Sequence, residues 1–146
     1  MAGEDAGKKK RRRLVIFAHG STYDKLYQIA TIAVTAVAMG EEVYVVLFFE
    51  ALRKFVEGKT DIEDMSAEFQ GKSRDVYQKM TVMNPNSIPE MIETVKSLGT
   101  LKFLACSANV EFMGLKKEEV LKKVDEITGL PSILKLVSEA DTTLYI

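Results

Sequence analysis

A chain of 146 residues, 47% apolar and 28% charged with a formal net charge of −1, has the size and composition of one globular domain with a real core. That balance excludes disordered and fibrous classes, and a single cysteine excludes any intramolecular disulfide framework, so a reducing compartment, the cytoplasm, is expected. Residues 8–13 hold six of the 20 basic side chains, leaving 14 basic against 19 acidic residues from Leu14 onward. The expected division is a flexible basic tail over residues 1–13 and a single acidic domain over 14–146.

The opening Met-Ala-Gly-Glu-Asp lacks the charged leader and apolar stretch of a secretory signal, so none is expected. A basic run of this kind could touch nucleic acid or anionic lipid. Six residues ahead of an acidic body read more simply as a solvated arm, so nucleic acid is not expected as a partner.

Leu14-Val15-Ile16-Phe17-Ala18 is a continuous apolar run closed by His19-Gly20-Ser21, the pattern of a strand covered on both faces and followed by a turn. Ser21 and Asp24 have capping-box spacing with Asp in place of Glu, and the helix they open is apolar nearly all round and therefore buried. Its longest apolar stretch, residues 29–39, falls short of the roughly 20 residues that a membrane helix needs. Gly40 ends the helix and residues 43–49 form a second strand, a strand-helix-strand unit that implies a right-handed parallel crossover.

Across residues 51–89 the pattern weakens. Leu52, Phe55 and Val56 suit a short helix, after which Gly58, Gly71 and Asn84-Pro85-Asn86 punctuate a polar stretch carrying Met65, Met80 and Met83. A mobile excursion or lid is expected there, loosely packed beside the core, with methionines able to line a pocket or an oligomer contact. Ser87 then caps a helix with Pro89 in its first turn and Met91, Ile92, Val95 and Leu98 on one face. Residues 101–105 form a third strand and 106–114 a loop. Val120, Leu121, Val124 and Ile127 mark an amphipathic surface helix; residues 133–140 form a short helix and 142–146 a terminal strand. The fold class is α/β, with a mainly parallel sheet of four to five strands.

Carboxyl ends of parallel strands gather loops into one crevice, which brings His19, Gly20 and Ser21 to the same edge as Cys106. A phosphatase loop needs arginine six residues after its nucleophile, where Phe112 stands, and a rhodanese-like loop fails for the same want of arginine. A peroxiredoxin centre needs threonine or serine three residues before the cysteine, where Phe103 stands. Dithiol chemistry needs a second cysteine. A lone accessible thiolate can still hold one sulfur atom as a persulfide and pass it to a thiol on another protein. His19, the only histidine, could deprotonate Cys106 or satisfy local hydrogen bonds. No metal site and no cofactor are expected, because carboxylates do not cluster near either residue and no glycine-rich fingerprint is present.

Two stretches carry a family likeness. His19-Gly20-Ser21-Thr22-Tyr23-Asp24-Lys25-Leu26-Tyr27, with Ala38-Met39-Gly40 and Phe48-Phe49 after it, resembles the opening of DsrE/DsrF-like proteins, in the branch often labelled peroxiredoxin-like. Ala105-Cys106-Ser107-Ala108-Asn109-Val110-Glu111-Phe112-Met113-Gly114-Leu115 is similar to that branch's alanine-cysteine motif leading to methionine-glycine, and residues 140–146 resemble its terminal strand. The resemblance implies a three-layer α/β/α domain that forms homo-oligomers and relays sulfane sulfur through a persulfide on Cys106. Sulfur donor and acceptor proteins with reactive thiols would be its partners. Ser107, Ala108 and Asn109 make the loop smaller and more polar than the methionine-rich family motif. With His19, Gly20, Ser21, Ser107, Asn109 and Met113 as the surrounding pocket, the expected function is sulfur trafficking. The rival reading is a non-catalytic oligomeric module that binds a small ligand or regulates, with Cys106 structural.

Overall fold

The computed structural model describes residues 10–146. Five strands, β1 (Arg13–Ala18), β2 (Glu42–Leu47), β3 (Leu101–Cys106), β4 (Glu126–Thr128) and β5 (Thr142–Tyr145), form one sheet in the order β4-β3-β2-β1-β5. Every pairing is parallel. Among the described residues seven helices accompany it: α1 (Tyr23–Ala38), α2 (Phe49–Glu57), α3 (Ser73–Met83), α4 (Ile88–Lys96), α5 (Ser107–Phe112), α6 (Lys117–Leu121) and α7 (Leu130–Ser138). This is the expected three-layer α/β/α fold.

Crossover handedness decides which face each helix covers. The three connections that step from β1 to β4 move in one direction across the sheet, so right-handed crossovers place them all on one face. The return from β4 to β5 steps the other way, and its helix α7 must lie on the opposite face. The two cores follow this division. Leu14, Ile16, Val43, Val45, Leu101 and Phe103 pack with α1 and α4 in the larger one, whereas Val15, Phe17, Val46, Leu104 and Cys106 meet Ile133 of α7 in the smaller. Alternation along each strand produces the split, since successive side chains point to opposite faces.

Several elements depart from expectation. The segment expected as a lid over residues 51–89 folds into α2, a single 3-10 turn at Ala67–Phe69, α3 and the start of α4. Met65 and Met80 pack against the core and Met83 is exposed, while α3 buries no residue fully. The loop expected after Cys106 is helix α5. The helix expected to run through Ile127 stops at Leu121, and Glu126–Thr128 pairs with β3 as an edge strand, because Leu104, Ala105 and Cys106 offer it an unoccupied ladder. The last helix covers Leu130–Ser138 rather than 133–140, with Pro131 in its first turn. Thr22, not Ser21, caps α1, and Asp24 turns away from the helix to accept the backbone N–H of Ser66 at 2.9 Å and its hydroxyl at 2.7 Å.

Of the basic run, Lys8 and Lys9, like most of the expected tail, lie outside the described residues; Lys10, Arg11 and Arg12 are exposed ahead of β1. Arg13 belongs to β1 itself. It bonds Glu42 at 3.2 Å and Glu139 at 3.0 Å, and its guanidinium lies 5.3 Å from the centroid of the Tyr44 ring. Among the described residues no helix is long and apolar enough to cross a membrane.

Candidate functional site

The carboxyl edge of the sheet collects the residues singled out from the sequence. Ala18 pairs with Leu47 and Leu47 with Ala105, so the next register row brings His19, Phe48 and Cys106 side by side. Two strand spacings separate the first from the last, about 10 Å. His19 and Cys106 therefore share one edge of the sheet with Phe48 between them.

Cys106 ends β3 and caps α5, and its side chain is only 2% exposed. It packs on the α7 face with Leu104, Val46 and Ile133, with Phe48 against the same cluster. The thiol is thus sealed beneath an aromatic ring and the one helix that covers this face. A crossover helix runs along the strands and is about 10–12 Å wide with its side chains, while five strands span about 19 Å, so α7 does not cover the face completely. What it leaves uncovered is aromatic. Phe17 stacks on Phe48 at 5.4 Å and on Tyr145 at 4.7 Å, and these rings with His19 and Ile146 line an apolar hollow of about 430 Å3.

His19 is exposed on the rim of that hollow, and its ring meets Phe49 edge-on at 5.6 Å. The backbone N–H groups of His19 and Gly20 both donate to the carbonyl of Ile146 at 2.8 Å, which fixes the turn after β1 to the end of β5. Gly20 lies against Lys25: a Cβ there would come within 2.4 Å of Lys25 Cδ. Ser21 contributes its carbonyl, which accepts from Lys54 Nζ at 2.6 Å, and Lys54 also pairs with Asp64 at 2.8 Å. Asp24 beside it is poised as a carboxylate. Burial opposes its charge, but hydrogen bonds from the Ser66 side chain and backbone outweigh that and hold its pKa below the ordinary value.

Asn109 lies one turn into α5, 4% exposed, and its Oδ1 accepts the backbone N–H of Phe49 at 2.6 Å. Phe49 has φ +44, the single non-glycine residue with positive φ among those described. A bulky residue avoids that conformation, at a cost of about 1–2 kcal/mol. The Asn109 bond holds it there; Phe48 continues the alternation of β2 onto the thiol's face, and Phe49 meets His19 and Phe112, whose ring stacks 6.5 Å away. Ser107 is exposed at the start of α5, and its Oγ lies near Gly129. Met113 caps the end of α5, and its carbonyl accepts from Arg53 at 3.1 Å.

Of the pocket residues read from the sequence, His19 lines the apolar hollow; Gly20 and Ser21 brace the turn, and Asn109 and Met113 brace α5 against α2. Phe48, Phe49 and Ile133 are not among the site residues read from the sequence, yet Phe48 and Ile133 pack in the thiol's cluster and Phe49 packs on His19 and Phe112. Two consecutive phenylalanines directly after a strand were the signal available for the first two. Among the described residues, no three His, Cys, Asp or Glu side chains come together as a metal site would need.

The profile of the DsrE/DsrF/DrsH-like family matches residues 54–145. Two solved structures share the fold. The crystal structure of the YchN protein from E. coli aligns with a TM-score of 0.62 at 16% identity, covering 92% of this chain and 99% of its own. MTH1491 from Methanobacterium thermoautotrophicum, a protein of unknown function, aligns with a TM-score of 0.57 at 13% identity, covering 93% and 100%. Among curated proteins, none matches this chain.

Proposed function

The chain belongs to the DsrE/DsrF/DrsH-like family, and on that premise we propose that it is a sulfur carrier that holds one sulfane sulfur as a persulfide on Cys106. The observation that carries the reading is the placement of the lone thiol, at the carboxyl end of a central strand and at the head of the following helix. In loading, the Cys106 thiolate attacks the outer sulfur of a donor persulfide; the S–S bond of the donor breaks, its thiolate leaves, and a Cys106 persulfide forms. In unloading, a partner thiolate attacks that outer sulfur and Cys106 returns to the thiolate. No net oxidation occurs, and the second thiol in each step belongs to another protein.

Burial suits the cargo. A persulfide beneath Phe48 and Ile133 is kept from water and stray thiols, and transfer then requires a local opening of the α7 face. The partly uncovered aromatic surface beside it, with Tyr145 74% exposed and Leu130 and Leu134 also outside, suits assembly into a homo-oligomer and docking of donor and acceptor proteins. The protein works in the cytoplasm in this reading, where free thiols persist.

Incubation with polysulfide should add the mass of one sulfur atom to the intact protein, and prior alkylation should block the addition. The Cys106→Ala variant should gain none. Absence of loading, or full loading of the variant, would sink the proposal. The 2% exposure of Cys106 favours one rival, an oligomeric ligand-binding module in which the thiol only packs. That rival requires alkylation of native Cys106 to be as slow as global unfolding, whereas a carrier reacts through faster local openings.

A further inference from the structure

On the face of the sheet away from the Cys106 thiol, a second cleft of about 260 Å3 lies between the end of α2, the middle of α4 and the end of α6. Three lysines line it, Lys96, Lys122 and Lys123, against a single carboxylate, Glu93. This departs from the rest of the domain, in which acidic residues outnumber basic ones. Lys122 also pairs with Glu119 at 2.9 Å, an exposed contact of little worth that a stronger anion would displace. Phe55 and Ile92 form the apolar wall, with the Phe55 ring fixed by stacking on Phe103 at 4.6 Å.

Thr60 is the second, independent sign. It lines the same cleft and is only 4% exposed, and its hydroxyl is the single buried side-chain oxygen or nitrogen among the described residues with no hydrogen-bond partner. A buried hydroxyl in that condition costs about 1–3 kcal/mol, and folds rarely keep one without a use.

We propose that this cleft binds a small phosphate monoester with an apolar or aromatic body. A phosphate monoester carries about −1.5 to −2 at neutral pH, matching three lysines offset by one glutamate. Its oxygens accept from the lysine ammonium groups and from the Thr60 hydroxyl, and its organic part rests on Phe55 and Ile92. The hydroxyl is shielded from solvent, so engaging it takes a small shift of the side chains around it. The site is separate from sulfur carriage and stands or falls without it.

The test titrates the full chain with phenyl phosphate at constant ionic strength and follows backbone amides by NMR. Saturable shifts at Thr60, Lys96 and Lys123, with Cys106 unmoved, are expected. Lys96→Gln or Lys123→Gln should weaken binding about tenfold each, the loss of one charge-assisted hydrogen bond. The near-isosteric Thr60→Val should keep or raise the unfolding midpoint while weakening phenyl phosphate several-fold. Benzoate should bind far more weakly than phenyl phosphate. The proposal is overturned by shifts that never saturate, by benzoate binding as tightly, or by full affinity in Thr60→Val. A lower unfolding midpoint in Thr60→Val would also overturn it, because the hydroxyl would then have a partner within the fold.

Discussion

Cys106, Asn109 and Phe49 show what single residues contribute at the carboxyl edge. The thiol is buried in a cluster with Phe48 and Ile133, and the residue that follows Phe48 is a phenylalanine in a left-handed conformation held by one buried amide. Asn109→Ala should therefore destabilise the fold by about 1–3 kcal/mol, the cost of leaving the Phe49 N–H unpaired, as read from urea denaturation. The positions of His19 and Cys106 were legible in the sequence, because each follows a short, mainly apolar run with the pattern of a buried strand. The strain at Phe49 was not. Positive φ at phenylalanine has no sequence signature, and only the meeting of α5 with the end of β2 imposes it.

The elements differ in how strongly local sequence specifies them. Helix α4 starts where expected: Ser87 and Glu90 form a reciprocal capping box, with the Glu90 carboxylate accepting the Ser87 N–H at 2.7 Å. Ser87→Ala should cost about 1 kcal/mol, measurable as a lowered urea midpoint with an unchanged slope. Strand β4 shows the opposite case. Glu126-Ile127-Thr128 carries one apolar residue, and Ile127 falls in helical phase with Val120 and Val124, so nothing local announces a strand. Its identity comes from the open edge of β3. Helix α7 rests on Ile133, which is fully buried over Cys106. Ile133→Ala should cost about 2–5 kcal/mol and also speed alkylation of Cys106 by iodoacetamide in the native protein. An unchanged alkylation rate would show that α7 does not guard the thiol.

For the molecule as a whole, titration should limit stability at both ends of the pH scale. Burial opposes the charges of Asp24 and Glu42, yet the bonds from Ser66 to the first, and from Tyr44 and Arg13 to the second, hold both pKa values below ordinary. The unfolded chain therefore takes up protons first on acidification. Their contribution is complete above about pH 5 and is lost as pH falls through the folded values. Tyr23 acts in the alkaline range. Burial, with Tyr77, Asp61 and Tyr27 nearby, raises its pKa from 10.0 to about 12. Its stabilisation is whole below the unfolded value and is lost as pH rises from 10.0 towards 12. Thermal unfolding across pH should show both limbs, and Tyr23→Phe should flatten the alkaline one.

The α/β class, the central strands, the buried first helix and the family likeness centred on Cys106 are all readable from the amino-acid order. These rest on apolar periodicity and short motifs, which act over a few neighbouring residues. Tertiary structure alone decided that β4 is a strand, that α7 stands by itself on one face, and that the thiol is closed over by Phe48 and Ile133. It also decided that Thr60, Lys96, Lys122 and Lys123 meet in one cleft. Each of these joins residues far apart in the chain, and their meeting follows from strand order and crossover handedness, which no local pattern encodes.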